Sequence, residues 1–380
     1  MRTSRERSPI GAWLRRNWFV AAITGVVGMG VAAGPQLRGL DARLPLSSFI
    51  VAIMLVTAVG LPHRDIGRIL RRPGPVLLGV AVGYTLMPAG ALWLGSLLGG
   101  APRDLAVGLL IAGAAPCTLA SAVIWTRLAG GDEMTALLIT LLSNLLSCVA
   151  TSAWVTAGTG TVVRLEFTDL MRQLAIVIAL PVGAGQALRM RPSVAQWVTA
   201  RQTALSVVAR CLILTVVLSA AVKAGIRLRE TPLPWPVVGR VAAFCLALHL
   251  AGWSAAWVLA RTLFRFERRR SIGAAFGASQ KTLPVGLYLA RTFFPQLGLA
   301  GLPILIYHVT QLVTDTWIAN ALARRAGPPR PGVPPRRDGA VRPAAAGSRA
   351  PEPPRPPPSA AADTPSRTGP PRPRRGPGPR

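Results

Sequence analysis

The stretch Gly277-Ala278-Ser279-Gln280-Lys281-Thr282-Leu283-Pro284 breaks an apolar run that is otherwise long enough to cross a bilayer. The 380-residue sequence holds two lysines, Lys223 and Lys281, and one of them sits in this break. A cation near the centre of a spanning segment costs about 2.5–3.5 kcal/mol on insertion scales, so it normally faces protein or a wet cavity. Glycine and proline on either side of the lysine predict a helix that unwinds where the polar groups lie. Irregular backbone at that depth is tolerated only where protein or water satisfies it, and transporters use such breaks as binding sites.

The rest of the chain fits that reading. Hydrophobic residues make up 51% of the sequence and charged residues only 15%, too little charge for a soluble surface at this length. Ten apolar spans are predicted near residues 17–34, 46–61, 75–98, 105–126, 133–157, 169–188, 203–224, 236–262, 271–294 and 298–321. The N-terminal run resembles a signal peptide in order but is long for a signal core, and it is read as a retained first helix.

The net charge of +29 is concentrated in short loops and in the tail, which argues against nucleic-acid binding. Arg2, Arg5, Arg7, Arg15 and Arg16 fall on the same side as Arg64, Arg68, Arg71, Arg72, Arg189, Arg191, Arg201, Arg265, Arg268, Arg269 and Arg270. The opposite loops carry fewer arginines, offset by Asp41, Glu166, Asp169 and Glu230. That alternation requires an even span count and puts both termini in the cytoplasm of a multi-pass protein in the cell membrane.

Three regions follow: a cytoplasmic segment 1–16, a transmembrane domain 17–326, and a tail 327–380 of Pro, Arg, Ala and Gly. The tail has too few large apolar residues to bury a core and is expected to be disordered. It can meet anionic lipid or a polyproline-binding partner, although a solvated tail is the simpler reading. Cys117, Cys148, Cys211 and Cys245 all fall in apolar runs without metal-site spacing, so three read as small buried hydrophobes and Cys117 stays open.

The fourth and ninth spans share a design. Gly113-Ala114-Ala115-Pro116-Cys117-Thr118-Leu119-Ala120-Ser121 answers the opening stretch, five spans earlier and so in the opposite direction through the membrane. This is the pattern of two inverted five-helix repeats whose broken helices cross at the midplane.

These residues resemble the bile acid:sodium symporter superfamily, most closely its SBF-like branch. The match is carried by Tyr84-Thr85-Leu86-Met87-Pro88, Pro116-Cys117-Thr118-Leu119-Ala120-Ser121 and Leu128-Ala129-Gly130-Gly131-Asp132. It continues through Thr140-Leu141-Leu142-Ser143-Asn144-Leu145-Leu146, the stretch Gly277 to Thr282, Leu305-Ile306-Tyr307-His308 and Gln311-Leu312, and covers roughly residues 12–326.

The resemblance implies a ten-helix carrier with panel and core subdomains, an organic anion in front of the crossing, and sodium behind it in the coupled members. This sequence departs from that pattern. Gly83 stands where a glutamine is expected, Ala122 where an asparagine is, and Phe276 or Gly277 where an acidic residue is. Ser121, Thr140 and Gln280 remain as oxygen donors for a weakly held sodium, and the carboxylate is missing. The branch is then expected to be proton-coupled through Lys281, whose ammonium would replace the ion, or not ion-coupled.

The candidate site is Pro116, Cys117, Thr118, Ser121, Thr140, Ser143, Asn144, Ser279, Gln280, Lys281, Thr282 and His308. Each has a plainer alternative. Lys281 could snorkel from a helix end, and Ser143 and Asn144 could simply join helices. Pro88, Pro116 and Pro284 are kinks first. His308 and Asp315, seven residues apart on one helical face, could form a proton relay or a packing pair. His249 has no partner legible in the sequence. Trp125, Trp253 and Trp257 read as packing or interfacial anchors.

The leading function is secondary transport of an organic anion, bile-acid-like or a small carboxylate, with no cofactor and with H+ or Na+ as possible coupling ion. A second reading is arsenite efflux through the Cys117 thiolate. A third is a non-transporting membrane regulator that acts through its tail. No span carries the residue pattern of an enzyme.

Overall fold

A run of apolar residues without charge folds as a helix in lipid because only a helix satisfies its own backbone. The computed structural model describes residues 18–61, 73–160 and 166–325, and among them every regular element is helical. In chain order these are α1 (Trp18–Ala32), α2 (Gly34–Ala42), α3 (Leu46–Gly60), α4 (Gly74–Tyr84), α5 (Leu86–Ser96), α6 (Arg103–Ala114), α7 (Ser121–Leu128) and α8 (Glu133–Thr159). They continue as α9 (Phe167–Leu174), α10 (Leu180–Arg189), α11 (Pro192–Ala200), α12 (Gln202–Glu230), α13 (Trp235–Val258), α14 (Arg268–Ser279), α15 (Leu283–Phe293) and α16 (Gly301–Arg325). Short π-helical turns, Ala175–Ala179 and Leu259–Leu263, join α9 to α10 and extend α13.

Among the described residues, five helical stretches are long and apolar enough to cross a membrane: Gly74–Ser96, Glu133–Thr159, Phe167–Arg189, Gln202–Glu230 and Trp235–Leu263. The pair α2 and α3 makes a sixth if its 78° bend lies within one span. Large apolar side chains on these helices and on α16 face outward, including Trp93, Leu180, Leu263, Val313 and Trp317. That is the inside-out surface of a protein solvated by lipid.

Two stretches expected as loop are helical instead. Residues 35–42 lie in α2, which Pro35 can open because a first-turn proline has no helical N–H to lose, and residues 192–200 form α11, opened by Pro192 in the same way. As expected, the fourth and ninth spans are each two helices with a non-helical break between them. The segment 1–16, the tail 327–380 and Arg64, Arg68, Arg71 and Arg72 lie outside the described residues.

Two groups of helices pack together. In one, α1 and α2 lie along α12, and α3 packs on α10 and α12. Gly225 of α12 makes this approach possible, since a Cβ there would stand 2.4 Å from the Val31 carbonyl oxygen. In the other group, α14 is central, packed on α4, α7, α8 and α13, with α16 lying against α13 and α6. From Ser271 to Ser279 every residue of α14 is buried, and so is every residue of α15 from Leu283 to Ala290. A helix buried all round must be mostly small and apolar, as Gly273-Ala274-Ala275-Phe276-Gly277-Ala278 is.

Trp253 stacks on Trp257 at 5.6 Å and meets Phe276 edge-on, so these two tryptophans pack the core as expected. Between the groups, Arg291 of α15 forms an ion pair with Asp41 of α2, and Gln173 of α9 donates to the Tyr288 hydroxyl at 2.5 Å.

Candidate functional site

The first break begins at Ala115, which is extended because the ring of Pro116 disfavours helical backbone at the residue before it. Helix resumes at Ser121. A buried break must find partners for its backbone, and α8 supplies them. The Cys117 N–H donates to Ser143 Oγ at 3.1 Å, and its carbonyl accepts from Asn144 Nδ2 at 2.9 Å. Thr151 donates to the Ala114 carbonyl at 2.8 Å, capping α6. Asn144 also donates to the Thr140 carbonyl, while its own Oδ1 is buried without a partner among the described residues.

The second break runs through Gln280, Lys281 and Thr282, with Pro284 in the first turn of α15. Here α16 supplies the partners. The Lys281 N–H donates to Gln311 Oε1 at 2.9 Å, and Gln311 Nε2 returns a bond to the Lys281 carbonyl at 3.0 Å. Gln311 Nε2 also faces His308 Nδ1 at 2.9 Å, so His308 acts on the break by holding Gln311.

The two breaks touch. The Thr282 N–H donates to the Pro116 carbonyl at 2.9 Å. Gln280 Oε1 accepts from Thr118 Oγ1 at 2.7 Å and from Ser121 Oγ at 2.6 Å. Gln280 Nε2 donates to Asp315 Oδ2 at 2.6 Å. Of the oxygen trio expected for sodium, Ser121 and Gln280 meet, and Thr118 takes the third place. The Thr140 hydroxyl instead lies 3.2 Å from the Thr118 carbonyl and 3.5 Å from Cys117 Sγ. The Ser279 hydroxyl turns back to the Ala275 carbonyl of its own helix.

Lys281 is 4% exposed and does not snorkel. Its Nζ donates to the Gly83 carbonyl at 2.6 Å and stands 5.4 Å from the centre of the Tyr84 ring. That carbonyl lies in the last turn of α4, which stops at Tyr84, while the N–H that Pro88 lacks leaves the Tyr84 carbonyl open. The neighbouring Tyr84 carbonyl is taken by Trp154 Nε1 at 2.7 Å, and the Tyr84 hydroxyl donates to the Ser143 carbonyl at 2.6 Å. The missing glutamine side chain matters here: a Cβ at Gly83 would stand 3.3 Å from the Ala278 carbonyl oxygen and 3.9 Å from Nζ. A narrow space of about 10 Å³, room for about one water, opens at this point, lined by Gly83, Tyr84, Pro116, Cys117, Ser143 and Lys281 among others.

Two expectations are corrected. A carboxylate does reach the second break, Asp315 of the last helix, but it meets the amide nitrogen of Gln280 and not the oxygens of Gln280, Thr118 and Ser121. Asp315 does not pair with His308. Its Oδ1 lies 2.8 Å from His249 Nε2, both side chains fully buried, so His249 has the partner that the sequence did not reveal. Tyr307 adds a hydroxyl that donates to the Ser279 carbonyl at 2.7 Å, and it stands 3.4 Å from His249 Nδ1. Gln311, Asp315, His249, Tyr307 and Trp154 were all absent from the sequence-derived site. Buried polar residues inside apolar helices are the signal that could have flagged them.

Among proteins of known sequence, the chain is 27% identical to a chloroplastic protein of Arabidopsis thaliana named as a probable sodium/metabolite cotransporter, over 81% of this chain and 73% of that one. It is 30% identical to an uncharacterized protein of Pseudomonas aeruginosa over 58% of this chain and 67% of the relative. With sodium/bile acid cotransporter 7-A of Xenopus laevis it shares 24% identity over 79% and 90%. The family model of the SBF-like CPA transporters matches residues 17–324, nearly all of the described helices. The chain therefore belongs to the SBF-like CPA transporter family, a family of transporters and not of enzymes.

Proposed function

We propose that the chain is a secondary transporter of an organic anion, bile-acid-like or a small carboxylate, that binds where the two breaks meet. The observation that carries this reading is the Lys281 ammonium, buried at that junction and held by a backbone carbonyl with no carboxylate against it among the described residues. A buried cation satisfied only by a neutral carbonyl retains attraction for an incoming anion. The break backbone and the N-termini of α7 and α15 add positive potential.

Lys281, inside the second break, and Asp315, which holds Gln280 beside it from α16, bring groups of opposite charge to one junction. A site balanced in this way has little need of a bound sodium, so coupling is to protons or absent, with at most a weak sodium contact at the Gln280 oxygen cluster. The relatives' names support a cotransport mechanism, and the substrate is this proposal's own. In this reading α1, α3, α10 and α12 belong to a panel and the helices around α14 to a core. The ten spans form two inverted five-helix halves in the cell membrane, with both termini cytoplasmic and the tail facing lipid or a polyproline-binding partner.

Cys117 stays as the alternative anchor for arsenite. Its Sγ faces the Thr118 carbonyl and the Thr140 hydroxyl, while Cys245 is directed at the Pro303 carbonyl, so no second thiol is shared with it. The regulator alternative concerns a tail outside the described residues. Truncation after Ala326 separates it: a transporter keeps ligand binding, whereas a scaffold loses its function.

The test is thermal unfolding of the purified protein in detergent, in sodium and then in choline at equal ionic strength, with taurocholate, succinate, pyruvate and arsenite. An anion at about 100 times its dissociation constant adds roughly 2.7 kcal/mol. Stabilisation by an organic anion in either salt, lost in Lys281→Ala, is the expected result. Strict sodium dependence would restore sodium symport, and stabilisation by arsenite alone would move the site to Cys117.

A further inference from the structure

We infer that the turn after α13, together with the exposed face of that helix, is a docking site for an anionic phospholipid. Arg265 and its neighbours hold the headgroup, and the acyl chains lie along α13. The inference concerns the lipid around the protein and does not depend on what is transported.

The first observation is in the backbone. Arg265 has a φ of 51°, the one positive φ outside glycine among the described residues. It follows a helix end, a place where glycine is favoured because a Cβ is crowded there. The chain uses glycine freely, 38 times, yet places arginine here. The turn is pinned from several sides. The Phe266 N–H donates to the Ala260 carbonyl at 2.8 Å, and Arg261 Nη1 donates to the Phe266 carbonyl at 2.6 Å. The Phe266 ring covers Gly74, where a Cβ would stand 2.8 Å from it, and Phe264 stacks on Phe266 at 5.4 Å. A turn held this firmly aims the Arg265 side chain at a cost in backbone strain. Setting membrane orientation needs positive charge in this loop but no particular backbone, and Arg268, Arg269 and Arg270 supply that charge already.

The second observation is charge without partners. Arg261, Arg265 and Arg269 are exposed, as are Arg324 and Arg325 at the end of α16. Arg268 Nη2 donates to the Leu322 carbonyl at 3.2 Å, which brings that end of α16 to the start of α14. The nearby carboxylates are Glu267 on the turn and Asp132 and Glu133 at the start of α8. Glu133 pairs with Arg127, and the Asp132 carboxylate accepts from the Thr135 hydroxyl at 2.6 Å. Among the described residues, Arg265, Arg269, Arg324 and Arg325 form no ion pair.

The third observation is apolar. Leu246, Leu250 and Val258 are exposed at multiples of four residues, hence on one face of α13, and Leu263 and Phe264 are exposed just before Arg265. From Leu246 to Val258 the helix rises about 18 Å, close to the roughly 15 Å depth of one leaflet's hydrocarbon. A cation cluster at the end of a leaflet-long apolar stripe matches a molecule with an acidic head and long chains. The tail 327–380 is a poor rival for this surface. It is itself rich in arginine, so the cluster repels it, and it has few large apolar residues to lay along the stripe.

The test is a titration of the full chain in uncharged detergent with phosphatidylglycerol, phosphatidylcholine or glycerol phosphate, read as the thermal midpoint. Phosphatidylglycerol alone should raise the midpoint of the wild type. Arg265→Gly should act in two directions. Without lipid its midpoint should lie above that of the wild type, because the strained φ suits glycine. Its affinity for phosphatidylglycerol should fall about fivefold, as should that of Arg269→Gln. Replacing two tail arginines, Arg336→Gln with Arg337→Gln, should leave the affinity unchanged.

Equal stabilisation by phosphatidylcholine would overturn the inference, because the charge would then play no part. Equal stabilisation by glycerol phosphate would make this a site for free phosphate and not for lipid. A lipid-free midpoint that falls in Arg265→Gly would make Arg265 a structural residue of the turn. An affinity unchanged in Arg265→Gly, or lost equally in the tail variant, would leave only diffuse attraction between a cationic chain and an anionic surface.

Discussion

At the first break the N–H and carbonyl of Cys117 are taken by two residues of α8, Ser143 and Asn144; at the second, those of Lys281 are both taken by one residue of α16, Gln311. Cys117 and Lys281 hold matching places in the two mirrored motifs, and in each case the next long helix in the chain does the holding. The breaks differ in charge. The first contributes hydroxyls and a thiol, whereas the second brings an ammonium and draws in a carboxylate with its histidine. Backbone support is shared by the two breaks, and chemistry that responds to charge is confined to one. Each substitution below tests one half of that division.

The largest effect should come from the charged half. His249→Leu removes one of the two donors to a fully buried carboxylate, and breaking a buried pair from one side costs about 3–5 kcal/mol. Denaturant titration in mixed micelles reads this loss. Adding Asp315→Asn should recover much of it, because the carboxylate whose charge went unmet is gone. No recovery in the double variant would mean that His249 matters for packing and not for charge.

Gln311→Leu should come next. It strands one buried N–H and one buried carbonyl at Lys281, at about 1–3 kcal/mol for each group, so roughly 2–4 kcal/mol together after relaxation. Asn144→Leu strands the Cys117 carbonyl alone and should cost about 1–3 kcal/mol, because Ser143 still holds the N–H. The ratio matters more than either value. Equal losses from both variants would contradict the division of labour between one residue and two.

Much of this was legible in the sequence, and what was not has physical reasons. The breaks themselves were visible because proline, glycine and polar residues stand out against apolar helix, and Pro116 leaves Ala115 no helical choice. The partners were harder. His308 and Asp315 do share a helical face, but seven residues of helix separate them by about 10 Å along the axis. Sharing a face is therefore not sharing a contact, and each meets its own neighbour, Gln311 for one and His249 with Gln280 for the other. His249 and Asp315 sit on helices 66 positions apart, and no periodicity in a single chain joins them. The π-helical turns at Ala175–Ala179 and Leu259–Leu263 were equally hidden, since widening one turn inside an apolar run changes no composition. Residues 35–42 were polar enough to be taken for a loop, although Pro35 opens a helix there.

The smallest effect is expected at Gly83, where the two halves of the comparison meet. Gly83→Ala places a methyl 3.3 Å from the Ala278 carbonyl oxygen, so α4 and α14 must part by a few tenths of an ångström. Its distance to Lys281 Nζ, 3.9 Å, is ordinary contact, so the ammonium keeps its carbonyl. Alanine also favours helix over glycine by roughly 0.5–1 kcal/mol, which offsets much of the strain. The net change should stay within about 1 kcal/mol, and anion binding should survive. Gly83→Leu differs, because a branched side chain fills the space that Nζ occupies, and anion binding should be lost with Lys281 displaced. If Gly83→Ala alone costs as much as Gln311→Leu, the anchor of the second break is the lysine's hold on α4 and not the amide of α16. The two breaks would then no longer share one kind of support.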